Sequence, residues 1–358
     1  MGIAGEQASL NFRRGSRGGW PGYILAAMKK SLMLCVVLTV GAGWCAWSAG
    51  AQTLLVANQK DHTVSIIDPV AGRQVGLIQE DVPGQWGHEI TASTNGTAYL
   101  PIYGDSGVGR PGVDGSKMLV IDLASRKVTH TVDFGHPVRP HLPVLDAAHD
   151  RLYVTTELDD AVTVIDPKTL KILGEVPTGQ KESHMLALSH DGKFGYTANV
   201  GPGTVSVLDM MGRKTLAVIP VSGKVQRISI TPDDRMVFTS DQTQPRLAVI
   251  DTATRKVKTW VPLPGLGYGT APTRDGKWLL VAIPSKDEVA VVDLATMQVA
   301  HTVEVAKAPQ EVLVQPDDRA AYVSCAGSGQ VAVIDLDQWK VERLIQAGAF
   351  DDGMGWAK

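Results

Sequence analysis

The chain has 358 residues, 44% of them hydrophobic and 20% charged, an ordinary composition for a soluble globular protein. Its formal net charge is −3. An acidic balance argues against nucleic acid or anionic lipid as partners, because both select positive potential.

The first fifty residues read as something other than the folded domain. Met28-Lys29-Lys30 opens a basic segment, Leu32 to Ala42 is an apolar run, and Ala49-Gly50-Ala51 is a small-residue cleavage pattern ahead of Gln52. Together these predict a Sec-type signal peptide over residues 28–51. The apolar run is too short to predict a membrane-spanning helix, so no membrane span is expected after cleavage. Residues 1–27 precede a segment with its own methionine and are expected to be a non-native or disordered extension. Arg13-Arg14 lies too far upstream of the apolar run to predict twin-arginine export. Removing residues 1–51 takes away five bases (Arg13, Arg14, Arg17, Lys29, Lys30) and one acid (Glu6), leaving 29 bases against 36 acids. Cys35 and Cys45 leave with the signal, and neither follows the small residue of a lipidated cysteine. Cys325 remains alone, so no internal disulfide is expected, and it reads as a small, partly buried side chain.

Beyond residue 52 one short motif recurs. Val64 to Asp68, Met118 to Asp122, Val162 to Asp166, Val205 to Asp209, Leu247 to Asp251, Val289 to Asp293 and Val331 to Asp335 are seven copies of an apolar strand ending in aspartate. Successive aspartates are 54, 44, 43, 42, 42 and 42 residues apart. A fixed period in this range marks an array of identical supersecondary units. Within one period, residues 182–222, four short strands follow one another: His184 to Leu188, Phe194 to Asn199, Val205 to Asp209 and Thr215 to Val221. They are rich in Val, Ile, Tyr and Thr and bounded by Gly, Asp and Pro. No segment keeps a 3.6-residue period, which excludes helical repeats. The repeated aspartate is predicted to accept backbone N–H bonds in the turn that follows, a scaffold role.

The ends of the repeat array complement each other. Thr53 to Asn58 matches a second strand, and Gly353 to Ala357 matches a first strand. Paired, they complete one blade and seal a ring, which leaves no unpaired terminal strand. The predicted fold is therefore all-β: a single seven-bladed β-propeller over residues 52–358, with four-stranded antiparallel blades closed by the N-terminal strands pairing with the C-terminal strand.

Leu55-Val56-Ala57-Asn58, Tyr153-Val154-Thr155-Thr156, Tyr196-Thr197-Ala198-Asn199 and Tyr322-Val323-Ser324-Cys325, each followed by an apolar strand ending in aspartate, resemble the YVTN-type, YncE-like β-propeller repeat. The resemblance spans the chain beyond the signal. It implies export to the bacterial periplasm or cell surface. It implies no single activity, since similar propellers serve as binding scaffolds, lactonases and haem-d1 domains; the last generally have eight blades.

Antiparallel strands place the turns after strands one and three on one face and the connections after strands two and four on the other. The first face carries tight turns and the repeated aspartates. The second carries the longer loops, including Tyr103–Ser116, whose five glycines predict a mobile lid and whose Asp105 and Asp114 permit a weak calcium site. Aligning second strands brings His88, His141 and His184 to the start of the innermost strand in three consecutive blades. Gln226, Tyr268 and Gln310 hold the same position in the next three. Innermost strands line the central channel, so these residues ring its mouth on the loop-rich face. Trp86, Glu89, Arg139, Glu182, Arg227 and Glu311 flank them. Three neutral imidazoles converging from neighbouring blades predict a possible Zn²⁺ or Cu²⁺ site. Without metal, a histidine beside Glu and Arg suits acid–base work on a lactone or another anionic molecule. His130 and His301 also recur in register, on outer strands, so duplication alone aligns histidines. His62, His136, His149 and His190 read as surface or turn residues.

Two functions follow from these residues. The first is a monomeric binding scaffold for a small molecule, metal or protein at the channel mouth. The second is a lactonase-like hydrolase, or a metal- or haem-dependent oxidoreductase, built on the three histidines. No G-x-S-x-G, H-E-x-x-H, C-x-x-C-H or phosphate-binding loop is present to support a standard hydrolase, zincin, c-type haem or nucleotide enzyme.

Overall fold

The computed structural model describes residues 52–357. The signal-like segment 28–51 and the extension 1–27 lie outside the described residues. Seven antiparallel sheets follow one another along the chain. Blades 3 to 7 begin with the innermost strands Pro140–Asp146, Ser183–Leu188, Val225–Ile230, Thr270–Pro272 and Pro309–Val314. Blade 2 begins with two short pieces, Trp86–Gly87 and Thr91–Ala92. Blade 1 takes its innermost strand from the far end of the chain: Asp351–Ala357 pairs with Thr53–Asn58, with Thr53 opposite Ala357 and Leu54 opposite Trp356. Innermost strands of successive blades lie side by side, and Asp351–Ala357 touches both blade 7 and blade 2. The ring is closed, as the complementary ends predict.

Burial follows from that ring. The second and third strands of a blade have neighbours on both sides, so Thr53–Asn58 and Ala161–Ile165 are buried at every residue. Outer strands keep an alternation of exposed and half-buried positions, as Lys340–Gln346 shows. Apolar side chains gather in layers between adjacent blades. Leu55, Ile66 and Leu100 pack between blades 1 and 2, and Leu54, Tyr322 and Val333 pack across the closure between blades 7 and 1. The seam is as thoroughly buried as the joints within the chain, so burial holds it without a covalent link.

Polar side chains fix the turns. Oδ1 of Asp68 accepts the N–H groups of Val70 and Ala71, each at 2.9 Å. Asp122, Asp166, Asp209, Asp251, Asp293 and Asp335 accept equivalent bonds, for instance from Ser125, Lys168 and Gly212. The scaffold role of the repeated aspartate holds in all seven copies. At the other end of the second strand, Asn58 donates to Thr63 and Ser65, and Asn199 donates to Thr204 and Ser206. This explains the asparagine in the repeat: it ties the second strand to the third where they separate.

Two innermost strands are interrupted for one reason. In blade 2 the His88 carbonyl accepts from Gly353 N at 2.9 Å, a bond to blade 1. In blade 6 Gly269 N donates to the Gln310 carbonyl of blade 7 at 3.0 Å. At these points the backbone pairs sideways around the channel. The contact requires glycine, because a Cβ on Gly353 or Gly269 would lie 2.3 or 2.2 Å from those carbonyl oxygens. Cys325 is fully buried, not partly, because both faces of its strand are covered; burial pushes its thiol up to about 12. Among the described residues, no helix is long and apolar enough to cross a membrane.

Candidate functional site

The innermost strands deliver one residue each to the channel mouth. His88, His141, His184, Gln226, Tyr268 and Gln310 occupy this position in blades 2 to 7. Asp352 of blade 1 completes the ring, 42 residues beyond Gln310 just as Gln310 follows Tyr268. The sequence reading stopped at six positions, although continuing the 42-residue step reaches Asp352.

The three histidines meet. Ring centroids of His88 and His141 are 5.3 Å apart, and those of His141 and His184 only 3.6 Å apart with a 32° tilt. Tyr103, at the end of the second strand of blade 2, joins them, with its ring 4.7 Å from His88 and 5.3 Å from His141. Glu157, just past the second strand of blade 3, accepts the Tyr103 hydroxyl at 2.7 Å and pairs with Nδ1 of His184. His88 Nδ1 faces Asp352 at 3.7 Å. His184 therefore holds a carboxylate on Nδ1, leaving its Nε2 for another partner, while His88 has a carboxylate nearby but beyond hydrogen-bond distance. Burial lowers His88 to about 4 and holds His141 well below the usual histidine range, so both are neutral at neutral pH. Burial and the Glu157 carboxylate push the Tyr103 phenol far up, which keeps it a neutral donor.

The opposite side of the mouth is ionic. Arg227 of blade 5 has its blade's two opposite neighbours, blades 1 and 2, across the axis. Its guanidinium reaches them both, pairing with Glu89 and, at 2.8 Å, with Asp352. The side chain is aimed inward from a positive-φ backbone (φ 58°) at a register shift in its strand. Its guanidinium lies over the Tyr268 ring at 4.9 Å, and Tyr268 accepts from Gln226 at 3.0 Å. Glu311 accepts from Met354 N. Burial raises Glu89 well above the carboxylate range and Glu311 to about 7. One arginine thus balances Asp352, while Glu89 and Glu311 share the remaining demand for protons.

The remaining predicted residues frame the mouth. Arg139, buried with its Nε 2.5 Å from Asp114, donates to the Arg110 carbonyl at 2.7 Å and so clamps the Tyr103–Ser116 loop. Asp105 accepts from Val113 N at 2.6 Å, closing the loop on itself. These bonds replace the expected mobile lid with a latched one. They also commit both aspartates of the suggested calcium site to protein partners. Glu182 faces Gly109 of this loop and Gly201, away from the imidazoles. Trp86 is half-buried against His62, and the Gln310 side chain donates to the Ala308 carbonyl at 3.3 Å. His136, His149 and His190 pair with Asp159, Asp146 and Asp234 away from the mouth. Sequence reasoning missed Tyr103 and Glu157 because both stand at the ends of second strands, outside the aligned ring.

Six buried side-chain atoms lack a hydrogen-bond partner among the described residues: Glu80 Oε1, Trp86 Nε1, His88 Nε2, His141 Nδ1, Arg227 Nε and Asp351 Oδ1. All six lie on the loop-rich face. No three His, Cys, Asp or Glu side chains among the described residues stand in a ready-made metal cage. The reason at this site is the His141–His184 stack, which is too close for two rings sharing one ion. A cavity of about 1120 Å³ opens on the opposite face near Tyr99, Asp122, Lys168 and Arg274. In its walls Lys168 donates to Asp150 at 2.8 Å and the Tyr99 hydroxyl donates to the Pro167 carbonyl. Volume favours that groove, but unsatisfied chemistry favours the mouth. A buried polar atom without a partner is costly and a surface groove is not, which makes the mouth the stronger candidate.

No family model matches the chain, and no curated protein matches it by sequence. Among solved structures it is similar to Kuenenia stuttgartiensis hydrazine synthase, at 19% identity and a TM-score of 0.68 over 79% of this chain and 92% of that one. It is also similar to the dihydro-heme d1 dehydrogenase NirN in complex with DHE, at 15% identity and a TM-score of 0.62 over 84% of this chain and 74% of that one. These likenesses establish the propeller fold.

Proposed function

We propose that the chain is an exported, YVTN-type binding propeller whose ligand sits at the loop-rich channel mouth, against His88 and His141. The observation that carries this reading is the pair of buried, neutral imidazole nitrogens, His88 Nε2 and His141 Nδ1, that have no partner. A buried donor or acceptor left unpaired costs about 1–3 kcal/mol, and a ligand that satisfies both removes that cost. The 5.3 Å separation of the His88 and His141 rings suits a small ligand between them. The repeat motifs and the signal-like segment 28–51 support export; a cell fractionation with and without residues 28–51 tests it.

The binding reading is tested by thermal unfolding of the purified protein with a panel of divalent cations, small organic acids and lactones. At least one compound is expected to raise the midpoint of the wild type and to leave His141→Leu unmoved. Shifts that survive His141→Leu but vanish in Tyr99→Ala would instead assign binding to the opposite groove.

A second reading, hydrolysis of a lactone or similar ester, is favoured by the Glu157–His184 pair. The carboxylate fixes the His184 tautomer, so Nε2 is free to take a proton from water while the buried Tyr103 hydroxyl stays a donor. Lactone hydrolysis that falls at least 100-fold in Glu157→Gln supports this reading, and absence of any hydrolysis removes it.

A further inference from the structure

One of the six unpartnered atoms belongs to the strand that closes the ring. Asp351 opens that strand and is fully buried. Its Oδ2 accepts the N–H of Cys325, at the end of blade 7's second strand, at 3.0 Å, and its Oδ1 has no partner. Three residues on, Met354 N donates to the carboxyl of Glu311, a half-buried side chain on blade 7's innermost strand. Two carboxyls thus fasten the loop-rich end of the closing strand to blade 7. The other end is fastened differently, by Trp356 Nε1 on the Val314 carbonyl at 3.3 Å and by the Trp356 ring against Tyr322.

Among the described residues neither carboxyl is in an ion pair. Arg227 of blade 5 is committed to Glu89 and Asp352, and it attracts Glu311 only from beyond ion-pair distance. Lys60 and Asp61 of blade 1 lie on the exposed rim, with Lys60 Nζ over the Phe350 ring at 5.2 Å and Asp61 taking Ala349 N at 2.6 Å. The other groups facing the pair are acidic or neutral. They are Asp352 on the same strand, Glu89 against Gly353, the neutral His88, the Cys325 thiol, and Asp287, which takes Ala308 N at 2.8 Å. Ionised, Asp351 would be a buried charge beside Asp352 with no counter-ion, far costlier than a neutral carboxyl that keeps one hydrogen bond.

We propose that the Asp351–Met354 end of the closing strand is a proton-operated latch, seated while Asp351 and Glu311 hold their protons and released from blade 7 as they lose them. The latch operates whether or not a ligand occupies the mouth. Burial pushes both carboxyls up to about 7, Asp351 from an ordinary value near 3.8 and Glu311 from one near 4.5. With the folded values raised, the seam is tightest below about pH 4 and slackens as pH rises through about 7. Release draws Asp352, the next residue, away from Arg227, so the latch also loosens one wall of the mouth.

The test is amide hydrogen exchange of the purified protein, read by mass spectrometry between pH 5 and 8, with protection corrected for the intrinsic exchange rate. In the wild type, protection of residues 351–357 should fall about 10-fold or more across this range relative to Thr204–Asp209, a strand of blade 4 on the far side of the ring. Asp351→Asn keeps an oxygen for Cys325 N and does not titrate; it should reduce that relative fall to about 3-fold or less. Glu311→Gln should remove a smaller share. Glu80→Gln, which takes a titrating carboxyl from the joint of blades 1 and 2, should leave the relative fall at its wild-type size. Should Asp351→Asn fail to fold, Glu311→Gln decides, with a fall smaller than wild type expected. The latch is overturned if the two strands lose protection in parallel, if the relative fall persists undiminished in Asp351→Asn or Glu311→Gln, or if it vanishes in Glu80→Gln.

Discussion

The two faces of this ring are built by the same repeat and differ in how completely they satisfy their polar atoms. On the tight-turn face, each of the seven recurrent aspartates accepts backbone N–H bonds from its own turn. On the loop-rich face lie all six buried side-chain atoms without a partner. The first face closes its hydrogen bonds within four or five residues, so every copy can do so independently. The second must close them between blades, across a channel, with whatever residue each blade supplies. Regularity belongs to the scaffold and irregularity to the site, which is where a repeat protein departs from its own rule.

Substitutions can break that contrast. The largest effect is expected for Arg227→Met, which leaves Glu89 and Asp352 buried without their cation. About 3–5 kcal/mol of stability should be lost, read by denaturant unfolding. Next is Glu80→Gln. Burial raises the folded Glu80 to about 8 from an ordinary carboxyl value near 4.5, so wild-type stability drops as pH rises through the window from about 4.5 to 8. The glutamine does not titrate. Its advantage over wild type should be absent near pH 4 and reach roughly 2–4 kcal/mol by pH 8. Asp251→Ala, on the satisfied face, removes a turn acceptor and should cost about 1 kcal/mol. His141→Leu sharpens the contrast most, though it moves stability least. Removing an unpaired buried polar atom should leave stability unchanged or raise it by about 1 kcal/mol. A large loss in His141→Leu would mean that the imidazole is structural after all.

These residues also show what the sequence could disclose. The aspartate register was enough to place the strands, close the ring on Thr53–Asn58 and Asp351–Ala357, and bring three histidines to one mouth. Period is a local property, repeated, and it survives in the sequence. Asp352 was within reach of the same register and was missed because the last strand was read only as a closure. Glu157 and Tyr103 were out of reach. Their role depends on side chains of different blades meeting at an angle, as does the pairing of Arg227 with Glu89, 138 residues away. The latched loop likewise depends on Arg139, whose reach to the Arg110 carbonyl no spacing announces.

The closure carries a consequence in time. Thr53–Asn58 is the first part of the ring to leave the ribosome, and its partner strand is the last. Through nearly all of synthesis, blade 1 exposes an apolar strand edge that only residues 351–357 can cover. That edge can recruit another chain in the same condition as readily as its own tail. The newborn chain is therefore open to pairing with its siblings until residues 351–357 arrive.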